Sequence, residues 1–133
     1  MDFDFINPTR IIFGAQKESK IAEILEEYGL KRVLLVYGKG SIKKSGLYDL
    51  ITTKLNDNGI EFVELGGVGA NPDVTHVRKG LKLAKESNID SILAVGGGSV
   101  IDVSKSIGVS FFYDGDPLDF NLHKAIPKRS LPV

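Results

Sequence analysis

The residues with the clearest chemical potential are Gly96, Gly97, Gly98 and Ser99, which follow the apolar run Ser91-Ile92-Leu93-Ala94-Val95 and precede Val100-Ile101-Asp102. The run reads as a buried strand, and the glycines as a turn where backbone can approach a ligand closely. Ser99 stands where a helix N-cap belongs. With no Cβ atoms in the way, N–H groups at such a helix start form a site for phosphate. That chemistry points to a nucleotide-binding α/β domain. The plainer alternative is a tight strand-to-helix turn that Ser99 caps and that binds nothing. The dinucleotide pattern G-x-G-x-x-G is not met, because Gly96 and Gly98 are followed by Ile101 at its third glycine position. Gly38-Lys39-Gly40 ending at Lys43 and Gly67-Val68-Gly69 ending at Pro72 miss it in the same way.

The surrounding pattern supplies elements that would position those glycines. Ile21, Ile24, Leu25 and Tyr28 fall on one face of a helix that Gly29 ends. Arg32 to Tyr37 is a continuous apolar strand, as expected when both faces are covered. Leu47, Leu50, Ile51 and Leu55 mark a second helix closed by Asn58-Gly59, and Ile60 to Leu65 the next strand. Val74, Val77, Leu81 and Ala84 mark a helix that Asn71-Pro72-Asp73 can start. Ile89 to Val95 is a further strand, and Val100, Val103 and Ile107 line the helix after the glycines. Upstream, Arg10 to Phe13 reads as a strand, with Phe3-Asp4-Phe5 as a hairpin partner across Asn7-Pro8-Thr9. The expected fold is therefore α/β: Rossmann-like and doubly wound, with a mostly parallel sheet, helices on both faces and an N-terminal β-hairpin. In such sheets ligands gather at the carboxyl ends of the strands, where three glycine-rich loops fall at 38–41, 66–71 and 96–99.

Composition narrows the function. At 133 residues the chain is one domain, and its 17 basic residues balance its 17 acidic ones, so no net field favours nucleic acid or an anionic membrane. No apolar stretch approaches the length of a membrane span. The start, Met1-Asp2-Phe3-Asp4-Phe5, lacks the basic residues and apolar core of a secretion signal, and the absence of cysteine suits a cytoplasmic location. From Tyr113 the periodicity breaks down, and Ser130-Leu131-Pro132-Val133 reads as the start of another strand. The expectation is of a domain that stops short of a second one, with a naturally short protein as the alternative.

Gly96 to Lys105 closely resembles the GGGSxxDxxK segment of the iron-containing (group III) alcohol dehydrogenases. Phe13-Gly14, Asn71-Pro72 with Val77 and Gly80, and Tyr113-Asp114-Gly115-Asp116 follow that family's order. Tyr37 to Gly46 looks most like its butanol dehydrogenase and aldehyde reductase branch. The resemblance covers residues 1–133 and corresponds to the family's N-terminal, dinucleotide-binding half. It implies a six-stranded Rossmann-like domain in which Gly96, Gly97, Gly98 and Ser99 hold the cofactor pyrophosphate and Asp102 lies towards the nicotinamide end. An Asp in the first helical turn is also favoured by the helix dipole, whatever it binds. Lys105 reads as a solvated or ion-paired helix residue.

Cofactor choice follows from charge. Relatives that prefer NAD carry an aspartate after the strand that Tyr37 ends, where it meets the adenosine ribose and repels a 2′-phosphate. Here Gly38, Lys39, Gly40 and Ser41 stand there, with Lys43 and Lys44 beyond, which favours NADP over NAD. Ordinary surface lysines are the alternative reading. Asn71 is placed by the resemblance at the adenosine ribose, and is equally suited to cap a helix. The resemblance also implies a divalent metal, iron or zinc, held by an aspartate and three histidines of a C-terminal helical domain in the full-length enzyme, and a homodimer. Within this chain the histidines are His76, which reads as a surface ion pair with Asp73, and His123 in the irregular tail. The implied reaction moves a hydride between a primary alcohol or aldehyde and the nicotinamide cofactor, with no catalytic residue of that reaction in these 133 positions. A free-standing nucleotide-binding or regulatory module is the competing class. A glycerol dehydrogenase or dehydroquinate synthase relative is disfavoured by Ser99, rather than lysine, after the glycines.

Overall fold

The structure, a computed structural model, describes residues 1–5, 7–71 and 73–133. Three parallel strands form its sheet: β1 (Arg32–Tyr37), β2 (Glu61–Leu65) and β3 (Ser91–Val95), in the order β2-β1-β3. Val33 lies beside Phe62 on one side and Ser91 on the other, and the register runs without a break to Val36 opposite Leu65 and Ala94. Among the described residues six α-helices flank these strands: α1 (Ile21–Glu27), α2 (Ser41–Lys44), α3 (Leu47–Asp57), α4 (Val74–Glu86), α5 (Gly98–Ser110) and α6 (Leu118–Asn121).

The apolar run of β1 is buried on both faces, so its alternate residues serve two cores. Leu34 and Val36 pack against Val77 and Ala84 of α4 and Val100, Val103 and Ile107 of α5. Val33, Leu35 and Tyr37 pack against Ala22 and Leu25 of α1, Ile42 of α2, and Ile51 and Leu55 of α3. The expected doubly wound α/β arrangement is therefore present, with three strands rather than six among the described residues. Gly80 lets α4 sit close to its neighbours, because a Cβ there would fall 2.4 Å from Ile107 Cδ1 and 2.6 Å from Leu65 Cδ2.

Three helices end in the same way, each delivering the chain directly to the next strand. Leu30 N–H returns to the Leu25 carbonyl and Gly29 N–H to that of Glu26; Ile60 and Gly59 repeat this on Leu55 and Asn56. Ile89 and Asn88 repeat it on Ala84 and Lys85, with Asn88 taking the left-handed position at φ 48°. This is the Schellman closure, which wants a residue tolerant of positive φ just past the cap. Ile60 and Ile89 are spent on these closures, so β2 and β3 start one and two residues later than the apolar pattern suggests. Asp90 then ties the strand starts together, its Oδ2 accepting N–H bonds from Lys31 at 2.8 Å and Arg32 at 3.1 Å.

The N-terminal hairpin is not formed. Among the described residues of 1–13 there is no strand, and Phe3, Phe5, Ile11 and Phe13 are largely exposed. Alternation suggested two strands there, but among the described residues no helix face or sheet edge covers their apolar sides. The segment is anchored instead by Arg10, whose Nη1 meets both carboxylate oxygens of Glu27 at 2.9 and 2.8 Å. At the other end, the Pro132 carbonyl accepts the N–H of Ile92 at 2.9 Å, and Leu131 is buried in the α4–α5 core. The expected strand start thus lies along the free edge of β3. No described helix is long and apolar enough to cross a membrane.

Candidate dinucleotide site

The chain passes from β1 to β2 on one side of the sheet and then to β3 on the other. The carboxyl ends of β1 and β3 therefore flank a point where the winding reverses, the usual ligand crevice of open α/β sheets. The loops at 38–41 and 96–99 stand on either side of it. The loop after β2 is stitched to both. Gly67 N–H bonds to the Gly38 carbonyl at 3.0 Å, and Val68 N–H to that of Tyr37 at 3.2 Å. Ser99 Oγ donates to the Ala70 carbonyl at 3.0 Å.

Two of the expected caps are corrected here. Gly97, not Ser99, is the N-cap of α5: Val100 and Ile101 N–H both return to its carbonyl, at 3.1 and 3.2 Å. Ser99 lies inside the first turn, and its hydroxyl is used on the neighbouring loop. Asp102 falls beyond the first turn, so the helix dipole no longer accounts for it. It is exposed and lines a cavity of about 170 Å³ between α4, α5 and α6, with Asp73 and Ser106. For α4 the cap is Asp73, whose Oδ1 accepts the His76 N–H at 2.9 Å, which removes the capping role considered for Asn71. Pro72, expected in that first turn, lies outside the described residues. The Asp73–His76 ion pair is not formed, since the carboxylate is taken by the backbone and His76 Nε2 is buried without a partner among the described residues.

The three glycines differ in what they do. A Cβ on Gly96 would meet Val100 Cγ2 at 2.7 Å and the residue has φ 158°, so packing and backbone already call for glycine here. At Gly97 and Gly98 a Cβ would meet nothing within 4 Å, and neither has a positive φ. Both are exposed, and among the described residues no acceptor reaches the N–H groups of Gly97, Gly98 or Ser99. Backbone strain and internal packing leave these two glycines unexplained, whereas a group approaching the bare helix start from outside accounts for both. A diphosphate fits that description.

On the other side of the crevice, Ser41 opens the short helix α2, which sequence periodicity did not reveal. The lysines separate into different roles. Lys43 Nζ lies over the rings of Tyr37 and Tyr48, at 5.5 and 4.9 Å from their centroids. Tyr37 donates to Glu64 Oε1 at 3.0 Å. Burial first, and then this carboxylate, push the Tyr37 phenol pKa up. Glu64 is thus committed to a tyrosine rather than offered to the crevice. Lys39 is exposed and its Nζ reaches to 3.9 Å from where a Cβ of Gly69 would stand. It is therefore the lysine that faces the loop rim. Asn71 is exposed on the same rim, and Lys105 is exposed on α5 with no ion pair among the described residues.

Comparison with known proteins decides the family. The model of the iron-containing alcohol dehydrogenases matches residues 8–133. The chain belongs to that family. It is 51% identical over 131 residues to a probable NADH-dependent butanol dehydrogenase of Bacillus subtilis, covering 98% of this chain and 34% of the relative. It is 45% identical over 133 residues to NADH-dependent butanol dehydrogenase A of Clostridium acetobutylicum, covering 100% of this chain and 34% of that one. The crystal structure of NADH-dependent butanol dehydrogenase A from Thermotoga maritima superposes with a TM-score of 0.96 at 40% identity, over 98% of this chain and 33% of that one. The chain thus spans about a third of the length of these alcohol dehydrogenases. The butanol dehydrogenase branch read from Tyr37 to Gly46 is the one these relatives occupy. Among the described residues no three His, Asp or Glu side chains gather as metal ligands.

Proposed function

We propose that this chain is the dinucleotide-binding part of a metal-dependent alcohol dehydrogenase or aldehyde reductase, holding NADP(H) for hydride exchange with a primary alcohol or aldehyde. One observation carries the reading: two glycines whose lack of side chains serves no packing or backbone need sit over unpartnered N–H groups at the start of α5. In this reading Gly96, Gly97, Gly98 and Ser99 hold the pyrophosphate. Ser99 acts by locking the loop that carries Asn71 against α5, leaving its own N–H for the anion. Gly38, Lys39, Gly40 and Ser41 meet the adenosine ribose, and Asp102 lies towards the nicotinamide. The nicotinamide supplies the hydride; this chain binds and orients it.

A 2′-phosphate is favoured by the absence of any acidic side chain from Gly38 to Lys44 and by Lys39 on the rim. NADH is the second reading, favoured by the names of the relatives in Bacillus, Clostridium and Thermotoga. Fluorescence titration with NADPH and NADH tests both. Tighter NADPH binding is expected, tighter NADH binding selects the second reading, and binding of neither sinks the proposal. The chain alone is expected to show no alcohol oxidation when supplied with ferrous or zinc ions, because the metal ligands lie outside it. Metal-dependent turnover by these residues alone would overturn that division of labour.

A further inference from the structure

Phe112 stands just past the end of α5, roughly 20 Å along the helix axis from the glycines at its start. Beside it the end of α5, α6 and the chain from His123 to Arg129 enclose a groove of about 540 Å³, a volume that suits one small molecule. Its floor is aromatic: Phe120 rests against Tyr113 with ring centroids 4.8 Å apart, and the Arg129 guanidinium lies 4.0 Å over the Phe112 ring. Its rim is basic, with Lys124, Lys128 and Arg129 all exposed. Among the described residues no acidic side chain lines the groove, and none of these three cations forms an ion pair.

The way α6 ends is a second, independent observation. His123 N–H returns to the Phe120 carbonyl at 3.3 Å and Lys124 N–H to that of Asp119 at 2.9 Å, the same closure that ends α1, α3 and α4. In those three the left-handed position is filled by Gly29, Gly59 and Asn88; here it is filled by His123, at φ 56°. Left-handed backbone strains a residue with a Cβ and leaves glycine unstrained, so the turn itself has no need of an imidazole. The His123 side chain lines the groove, where a ligand accounts for it. Guanidinium, ammonium and imidazole N–H groups all donate to oxyanions, and a guanidinium stacked on one ring leaves its N–H edge open to a carboxylate or phosphate. An uncharged ring would leave this rim unmatched, and a bare anion would leave the aromatic floor in water. We propose that the groove is a ligand site for a small aromatic acid, whose ring lies on Tyr113 and Phe120 and whose oxyanion meets His123, Lys124 and Arg129.

Indole-3-acetate and 1-naphthyl phosphate, titrated into the full 133-residue chain, are the probes, and its two histidines supply the readout. Each acid should move the imidazole proton NMR signal of His123 and leave that of His76, on α4, in place. His123→Asn, which suits the left-handed turn, identifies the signal by its loss. The acid that binds more tightly tells whether the groove prefers carboxylate or phosphate. Indole, a ring without charge, and inorganic phosphate, a charge without a ring, should each bind at least about tenfold more weakly. Lys124→Gln with Arg129→Gln should weaken both acids at least about tenfold, with circular dichroism melts showing that the variant is folded. His123→Gly should weaken them while relieving the turn, seen as a higher denaturation midpoint. Gly97→Ala with Gly98→Ala should leave indole-3-acetate binding unchanged, so the dinucleotide site and this groove succeed or fail separately. Neither acid binding at millimolar concentration, indole or phosphate binding as tightly as the acids, movement of the His76 signal instead, or binding indifferent to the Lys124 and Arg129 changes would each overturn the proposal.

Discussion

Replacing Gly97 and Gly98 with alanine should move stability and binding in opposite directions. The structure leaves at least 4 Å of open space around a Cβ at either position, and Gly97 has φ −86° and ψ −166°, within reach of any residue. Neither methyl group strains the fold. Each instead restricts the unfolded chain, a gain of about 0.4–1 kcal/mol per site. The same methyls occupy the volume through which an anion would reach the N–H groups. A hydrogen bond to a charged acceptor is worth about 1.5–3 kcal/mol, so losing two would cost about 3–6 kcal/mol, or roughly two to four orders of magnitude in Kd. Guanidinium denaturation reads the first effect and NADPH titration the second. Should the double variant bind NADPH as tightly as the parent, the open glycines do not face the diphosphate and the assignment of the site fails. Should it instead lose stability, these glycines are needed by the fold and cease to argue for a ligand.

Gly96→Ala should behave in the contrary manner, losing about 1–3 kcal/mol of stability as its Cβ meets Val100 at 2.7 Å, visible as a lower denaturation midpoint. Asp90→Ala removes the acceptor shared by Lys31 and Arg32 N–H and should cost about 2 kcal/mol in the same assay, with the denaturant slope unchanged. Asp116 is clamped by Arg78 Nε at 2.8 Å and Nη2 at 3.0 Å, and this pairing, helped by the Leu118 N–H, holds its carboxyl below the usual aspartate range. The folded pKa being the lower one, the contribution to stability is complete above the unfolded value of about 3.9 and is lost as pH falls through the folded value. Arg78→Gln should raise the Asp116 midpoint in a carboxyl-carbon NMR titration and flatten the acid limb of the stability profile. An unmoved midpoint would show that the guanidinium is not what lowers it.

Local signals wrote most of the frame. Gly29 and Gly59 follow helical apolar stripes and do end those helices, because left-handed backbone after a cap is a requirement that single residues meet. The apolar run of β1 announced burial on both faces for the same kind of reason. What depended on distant partners was not legible. Phe3, Phe5, Ile11 and Phe13 alternate as strands do, but a strand needs a neighbour to pair with, and alternation cannot say whether one is there. The three glycines at 96–98 look alike in sequence; the side chain of Val100 four positions on and a positive φ separate the one that the fold demands from the two it does not. Ser99 carries a good capping side chain, yet the Ala70 carbonyl, 29 residues away, claims its hydroxyl and passes the cap to Gly97. The lysines after β1 likewise read as one basic cluster until the tyrosine rings draw Lys43 aside and leave Lys39 on the rim.

The last residues bear on how the sheet ages. With the Pro132 carbonyl met by Ile92 and Leu131 sunk beside α5, this segment acts as a cover on the flank of β3. Deuterium uptake at the Ile92 amide therefore reports how often that cover peels away. While that cover is off, an apolar strand flank is bare, the kind of surface on which foreign extended chains stack.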